Sequence, residues 1–318
     1  MSSDSLPGLA DVEAAARRIA GVATRTPLIE SPILSRRTGR DVYLKLECFQ
    51  PIKVFKIRGA YNKISQLKEG SVVAASSGNH GIAVAYACRL LGKKCSVVVP
   101  GEAVKEKVET ILEYGADIVK AGTLSSEREA RARELARSTG SAFVHPFDDF
   151  DVIAGQGTCG LEIIEQLSDF DSVLVPVGGG GLISGVSTAV KALRPKAKVF
   201  GVEPQGAPKL AAALDAKRII TVPSPHSMSD GLLPTALGER TFRICSRNVD
   251  GAYVVTEEEI LEATRALVKD ARIIAEPSGA TALAPLFSKS SRALGERVVV
   301  LISGGNISQG LLAQILTR

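Results

Sequence analysis

The feature that most constrains this chain is an alternation that runs over nearly its whole length. Short apolar, β-branched runs are separated by amphipathic stretches of helical period. A strand covered on both faces reads as a continuous apolar run, and a parallel neighbour needs a crossover helix between the two strands. The pattern predicts strands over residues 42–47, 72–75, 95–99, 117–120, 172–177, 198–203 and 298–303. It predicts helices over 58–66, 81–91, 104–114, 125–139, 156–167, 183–193, 257–271, 279–288 and 308–316. A further helix starts near Leu9 or Asp11, with Val12, Ala15, Ile19 and Val22 as its apolar stripe. The expected class is α/β, built from open, mostly parallel sheets flanked by helices. At 318 residues there is room for two subdomains or one large unit, without a metal or disulfide staple.

Composition removes several function classes. With 45% hydrophobic and 23% charged residues, the chain is not disordered. Its apolar runs fall short of the roughly 18 residues of a membrane span, so no membrane partner is expected. The net charge of +5 is dispersed, and Lys and Arg form no basic block interleaved with aromatics, which argues against nucleic acid. Cys48, Cys88, Cys95, Cys159 and Cys245 contain no C-x-x-C pair and read as free thiols of a reducing compartment. The N-terminus carries acids and lacks an apolar core, so it is not a secretory signal, and a cytoplasmic location is expected. What remains is a protein with a small-molecule partner.

In open parallel sheets, ligands collect beyond the carboxyl ends of strands. Three predicted strand ends carry unusual chemistry. Ser76-Ser77-Gly78-Asn79-His80-Gly81 gathers two hydroxyls, an amide and several N–H groups at a helix start, a setting suited to a carboxylate. Gly178, Gly179, Gly180 and Gly181 let the backbone approach closely and turn its N–H groups toward a phosphate. The run is neither a dinucleotide fingerprint nor a Walker A loop, so ATP hydrolysis is poorly supported. The third end, Ser303-Gly304-Gly305-Asn306, presents a neutral hydroxyl; by itself it reads as a capping loop. A fourth signal is Lys56 at a helix start, where the dipole and partial burial both lower an amine's pKa. Its competing reading is a solvated basic face shared by Lys53, Arg58 and Lys63. The irregular stretch 222–248, with Pro223, Pro225 and Pro234, reads as a long loop facing the substrate.

Taken in order and at this spacing, these segments resemble the serine/threonine dehydratase family of fold-type II pyridoxal-phosphate enzymes, which includes serine racemase. Further matches are Arg25-Thr26-Pro27-Leu28, Leu44-Lys45-Leu46-Glu47, His145-Pro146-Phe147, Ile153-Ala154-Gly155-Gln156-Gly157-Thr158 and Glu276-Pro277-Ser278-Gly279. The resemblance runs from about Thr24 to Asn306 and implies pyridoxal 5′-phosphate as cofactor. Lys56 matches the lysine that binds it covalently and then removes the α-proton, and Phe55 packs beside the ring. Ser76, Ser77, Asn79 and His80 match the loop for the substrate carboxylate, with Asn79 also near the ring oxygen. Ser77 matches the second base of racemising members. Gly178, Gly179, Gly180 and Gly181 match the phosphate cradle, and Ser303 the partner of the ring nitrogen.

The implied reaction is loss of water from L-threonine or L-serine, giving a 2-oxo acid and ammonia. The alternatives are amino-acid racemisation and dehydration of a 3-substituted serine such as 3-hydroxyaspartate, to which the basic Lys53 lends slight support. The implied organisation is a large cofactor-binding domain of residues 1–68 and 149–318 and a small mobile substrate-clamping domain of 69–148. A homodimer is expected. Two departures stand out: Lys53-Val54 precedes Phe55 where members carry Gly-Ser, and Lys209 replaces the Asp that follows Glu203 in metal-binding members. An ammonium there would take the cation's place, so no tight divalent-metal site is expected. A chain ending at Arg318 also leads us to expect no C-terminal regulatory domain.

Overall fold

A computed structural model describes residues 6–76, 78–101, 105–122, 125–288 and 291–317. Among these residues there are ten strands: β1 (Leu28–Glu30), β2 (Asp41–Leu46), β3 (Ser71–Ala75), β4 (Lys94–Val99), β5 (Asp117–Lys120), β6 (Ala142–Phe143), β7 (Ser172–Pro176), β8 (Lys198–Pro204), β9 (Gly251–Val255) and β10 (Arg297–Ile302). They form two sheets, a six-stranded one ordered β1-β2-β10-β7-β8-β9 and a four-stranded one ordered β5-β4-β3-β6. All pairings between these strands are parallel except β1 with β2. The central strands are buried on both faces: every residue of β7 is buried, as are Val298, Val299, Val300, Leu301 and Ile302 of β10.

The helices are α1 (Leu9–Ile19), α2 (Pro32–Thr38), α3 (Lys56–Ile64), α4 (Asn79–Leu91), α5 (Lys105–Glu113), α6 (Ser125–Thr139) and α7 (Phe150–Gln166). They continue with α8 (Gly181–Leu193), α9 (Lys209–Ala216), α10 (Glu239–Asn248), α11 (Glu257–Lys269), α12 (Pro277–Ala280) and α13 (Gln309–Thr317). Helix α7 is the axle of the larger sheet's helical layer. A Cβ on Gly155 would stand 2.6 Å from the Arg58 carbonyl of α3, and one on Gly157 would stand 3.0 Å from the Gly185 carbonyl of α8. Only glycine allows such backbone approach. The two helices that begin at Lys56 and Gly181 are thereby pinned to one support.

The elements depart from the sequence expectation in definable places. β1, β6 and β9 lie outside the predicted strands; they have three, two and five residues, and all three sit at sheet edges. Helix α7 starts at Phe150, six residues before the predicted 156, because the Asp149 carboxylate accepts the N–H groups of Asp151 and Val152. The predicted helix 279–288 is the short α12 followed by a 3₁₀ stretch, Thr281–Phe287, in which Pro285 cannot donate. The expected loop 222–248 is irregular only at first; its end folds as α10, whose Thr241, Ile244 and Cys245 are buried. The predicted start of the helix 104–114 lies outside the described residues, and α5 follows from Lys105. Among the described residues, no helix is long and apolar enough to cross a membrane.

Candidate active site

Strand order decides which segments meet. Because β10 lies between β2 and β7, the carboxyl ends of β2, β10 and β7 are adjacent and deliver residues 53–56, 303–306 and 178–181 to one place. The first two lock together through the backbone. Phe55 N–H donates to the Ser303 carbonyl (3.1 Å), and Gly305 N–H donates to the Lys53 carbonyl (2.8 Å). The four-stranded sheet adds the ends of β3 and β6. From β6, Pro146 offers its carbonyl to Lys56 Nζ (3.0 Å), and the Phe147 ring packs on Gly179 so closely that a Cβ there would stand 2.3 Å from it.

Lys56 is the first residue of α3. Desolvation of its amine lowers its pKa to about 8, so at pH 7 roughly a tenth is already the free base, far more than for an exposed lysine. Below it lies a buried ionic knot. Arg58 grips Glu47 through Nε (2.7 Å) and Nη2 (2.8 Å) and Glu162 through Nη1 (2.7 Å), while Lys45 Nζ meets the other Glu162 oxygen at 2.6 Å. Burial alone would raise the Glu47 pKa, but the Arg58 guanidinium holds it below the ordinary carboxylate value. Arg58 is therefore not part of a solvated basic face. Lys63 is also committed, to Asp149 and Asp151 at 2.9 Å each. Only Lys53 of that set is exposed, with a left-handed backbone (φ 59°).

The loop 76–81 lies at the start of α4, with Gly78 as its N-cap and Asn79 as its first helical residue. Asn79 is held on both sides of its amide: it donates to Glu276 Oε1 (2.5 Å) and accepts from Asn306 Nδ2 (2.8 Å). His80 is buried, with Nε2 3.0 Å from the Val144 carbonyl. Burial and then the nearby Lys56 amine push its pKa down to about 3, so the ring is neutral. Its side chain is turned to β6, which leaves the first-turn N–H as what it offers a ligand. Ser76 lies partly exposed at the loop entrance and accepts Gly78 N–H at 3.2 Å. Ser77 lies outside the described residues.

Glu276 had no role to be read from its motif, and the structure puts it at the centre of the site. It is buried, its Oε2 has no hydrogen-bond partner among the described residues, and burial pushes its pKa up to about 7, with Lys107 opposing and Asp230 adding to the shift. Lys107 and Asp230 form an ion pair of 2.5 Å at the mouth. Nothing in the sequence marked Lys107, since one lysine on an amphipathic helix carries no signal. Of the irregular stretch 222–248 expected to face the substrate, Asp230 reaches the site although its side chain is half exposed, whereas the Nδ1 of the exposed His226 faces the Ser224 carbonyl (3.2 Å).

Behind the glycine loop, Lys209 is completely buried. Its ammonium sits among the carbonyls of Val177 (3.2 Å), Ala207 (3.0 Å) and Leu232 (3.0 Å) and Glu203 Oε1 (3.2 Å). Glu203 in turn accepts N–H groups from Leu210 and Ala211. Burial pushes the pair toward neutrality, but acceptors alone surround the ammonium and donors alone surround the carboxylate. The geometry holds both charged.

The cradle suits a phosphate. Ser184 N–H makes the first intrahelical bond of α8, to the Gly180 carbonyl (2.9 Å), so the preceding N–H groups at this helix start are available to an anion. Gly180 has φ +92°, a conformation that side-chain-bearing residues rarely adopt. A half-buried amine of lowered pKa, a phosphate cradle and the buried Ser303 fit pyridoxal phosphate. Comparison with known proteins agrees. The family described as pyridoxal-phosphate dependent enzyme matches residues 19–304. L-threonine ammonia-lyase of Thermotoga maritima is 41% identical over 314 residues, 98% of this chain and 78% of that protein. Serine racemase of Dictyostelium discoideum is 39% identical, over 97% of each chain. Among solved structures, a threonine deaminase from T.th. superposes with a TM-score of 0.92 at 44% identity, covering 95% of this chain and 99% of its own. Maize serine racemase gives 0.94 at 35% identity, covering 98% of both. The chain belongs to the pyridoxal-phosphate dependent enzymes of fold-type II.

Proposed function

We propose that this enzyme removes water from L-threonine or L-serine and yields a 2-oxo acid and ammonium. The observation that carries the reading is Lys56, a half-buried amine at the start of α3, bonded to the Pro146 carbonyl beside the Phe147 ring that packs on the glycine cradle and close enough to His80 of the loop 76–81 to depress its pKa. Similarity to relatives that bear threonine ammonia-lyase and threonine deaminase names supports the substrate.

In this reading Gly178, Gly179, Gly180 and Gly181 and the first turn of α8 hold the cofactor's phosphate, Phe55 lies beside its ring, and Ser303 pairs with its ring nitrogen. When bound, pyridoxal phosphate draws electrons from the substrate's Cα and acidifies its proton. Lys56 supplies the covalent anchor and the base that takes that proton. Ser76, Ser77, Asn79 and His80 hold the substrate carboxylate, His80 through its backbone. Asn79 retains one amide hydrogen for the cofactor's ring oxygen or the substrate, because Glu276 and Asn306 have fixed its plane. The hydroxyl leaves Cβ as water by taking up the proton that Lys56 removed from Cα, and the released enamine takes water back as it hydrolyses to 2-oxo acid and ammonium, so atoms balance.

The division of strands between two sheets supports residues 1–68 with 149–318 as the cofactor-binding domain and 69–148 as a domain that closes over the substrate and excludes water. Five free, buried cysteines support a reducing, cytoplasmic setting. Phe49 and Ile274, each more than half exposed, support burial against a second copy, a homodimer that sedimentation would reveal.

The test is product analysis after incubation with L-threonine and L-serine, for the unsubstituted enzyme and Lys56→Ala. 2-Oxobutyrate and pyruvate from the first and neither from the second are expected. D-serine without pyruvate would transfer the assignment to racemisation, in which case Ser77→Ala abolishes D-serine formation.

A further inference from the structure

Lys107 and Asp230 join the two sheets' layers across the mouth of the site. Lys107 belongs to α5, which packs on α4 and β5 of the four-stranded sheet; Asp230 follows α9 of the six-stranded one. The Lys107 side chain is only 12% exposed, and a Cβ on Gly78 would stand 4.0 Å from its Nζ, so the ammonium rests on the loop 76–81. Asp230 accepts from Lys107 through Oδ2 (2.5 Å) and from Ser278 Oγ through Oδ1 (3.3 Å). Ser278 Oγ also accepts Gly231 N–H (2.9 Å), and the Gly231 carbonyl is 3.0 Å from where a Cβ on Gly178 would stand. One continuous chain of contacts thus runs from the carboxylate loop, through Lys107 and Asp230, to the phosphate cradle. Glu276 faces the same space with an oxygen that has no partner among the described residues. Lys53, which the sequence offered as the basic group near the substrate, is exposed, and its backbone carbonyl is bound to Gly305.

We infer that the Lys107–Asp230 pair reads the substrate's side chain and restricts this site to β-hydroxy amino acids with uncharged side chains. The inference rests on the reading that the loop 76–81 holds the substrate's α-carboxylate. With Asp230 in place, the ammonium facing the site already has its counter-ion. A second carboxylate on the substrate would have to share the one ammonium with Asp230, and the excess negative charge repels it. Without the Asp230 charge, the largely buried Lys107 lacks a partner and draws a distal carboxylate into the same place.

The experiment measures kcat/KM for L-threo-3-hydroxyaspartate relative to L-threonine in the holoenzyme. The Asp230→Asn variant is expected to raise that ratio roughly tenfold or more, and Lys107→Met added to it is expected to return the ratio toward its starting value. The ratio of Kd values for L-aspartate and L-2-aminobutyrate, which carry no β-hydroxyl, moves in the same direction by calorimetry. If Asp230→Asn does not fold, Asp230→Ser carries the same expectation. An unchanged ratio in the Asp230 variant, or an equal rise when Lys107 is also removed, overturns the inference. Threonine turnover by the unsubstituted enzyme tests the proposed function alone, so the two failures are distinguishable.

Discussion

At the scale of single residues, burial decides how the titratable groups behave. Glu276 keeps its proton up to about pH 7 in the fold, whereas an exposed glutamate releases it near 4.5. Between those values the folded state binds more protons than the unfolded chain, so this group's contribution lowers stability as pH rises. Glu276→Gln is therefore expected to gain stability relative to the unsubstituted enzyme as pH rises from 4.5 to 7.5, by up to about 1.4 kcal/mol per unit crossed. Urea unfolding across that range reads the difference, and a pH-independent offset would contradict it. His80 has the opposite sign: its pKa falls from 6.5 to about 3, so its contribution is full above 6.5 and is lost as pH falls toward 3. Between pH 6.5 and 4.5 the two contributions oppose each other; below about 4.5 only the His80 loss continues, so acidification toward pH 3 is expected to weaken the enzyme, and His80→Gln flattens that limb. The place of Lys56 at a helix start drew notice in the sequence, but a basic-face reading competed with it, and the family resemblance was what singled it out. No role for Glu276 could be read there, because its environment comes from Asn79, Lys107 and Asp230, which are scattered through the chain and meet only in the fold.

Helices and strands show where local sequence suffices and where it does not. The long apolar runs of β7, β8 and β10 were legible because strands buried on both faces leave little choice of residue. β1 and β6 were not, since two or three residues establish no period. α2 carries local signals that its short length hides, Pro32 at its first position and Gly39 beyond its end with φ 69°. The ionic knot beneath α3 was invisible, because Arg58 reads as one more basic residue until Glu47 and Glu162 are brought to it. Replacing Arg58 with Met leaves two carboxylates facing one buried lysine. We expect a loss of about 3–5 kcal/mol in unfolding free energy and a loss of activity as the start of α3 shifts. A loss below about 1 kcal/mol would show that the knot is not what fixes Lys56.

For the molecule as a whole, strand order does the functional assembly, since it puts the carboxyl ends of β2, β10 and β7 side by side and turns the ends of β3 and β6 toward them. The order itself could not be read from the sequence, because β10 is the last strand and inserts between the second and the seventh. Three of the segments it gathers, 76–81, 178–181 and 303–306, were nonetheless visible as polar or glycine-rich strand ends. Lys209 belongs to this scale too, since it ties the end of β7 to Ala207 and Leu232 from a single ammonium. Added Mg²⁺ is expected to leave the activity unchanged. The Lys209→Ala variant is expected to unfold more easily, and added K⁺ or NH₄⁺ is expected to restore part of its melting temperature. Strong Mg²⁺ stimulation of the unsubstituted enzyme would contradict that role.

In the proposed reaction a cofactor held at Lys56 drives loss of water from a hydroxy amino acid. The most direct measurement is the visible absorption spectrum of the purified enzyme as L-threonine is added, with 2-oxobutyrate assayed in the same cuvette. We predict a band from the bound cofactor that shifts on mixing while 2-oxobutyrate accumulates. A protein that shows no visible band even after incubation with pyridoxal phosphate, or a band that threonine shifts without any 2-oxobutyrate appearing, would contradict the account.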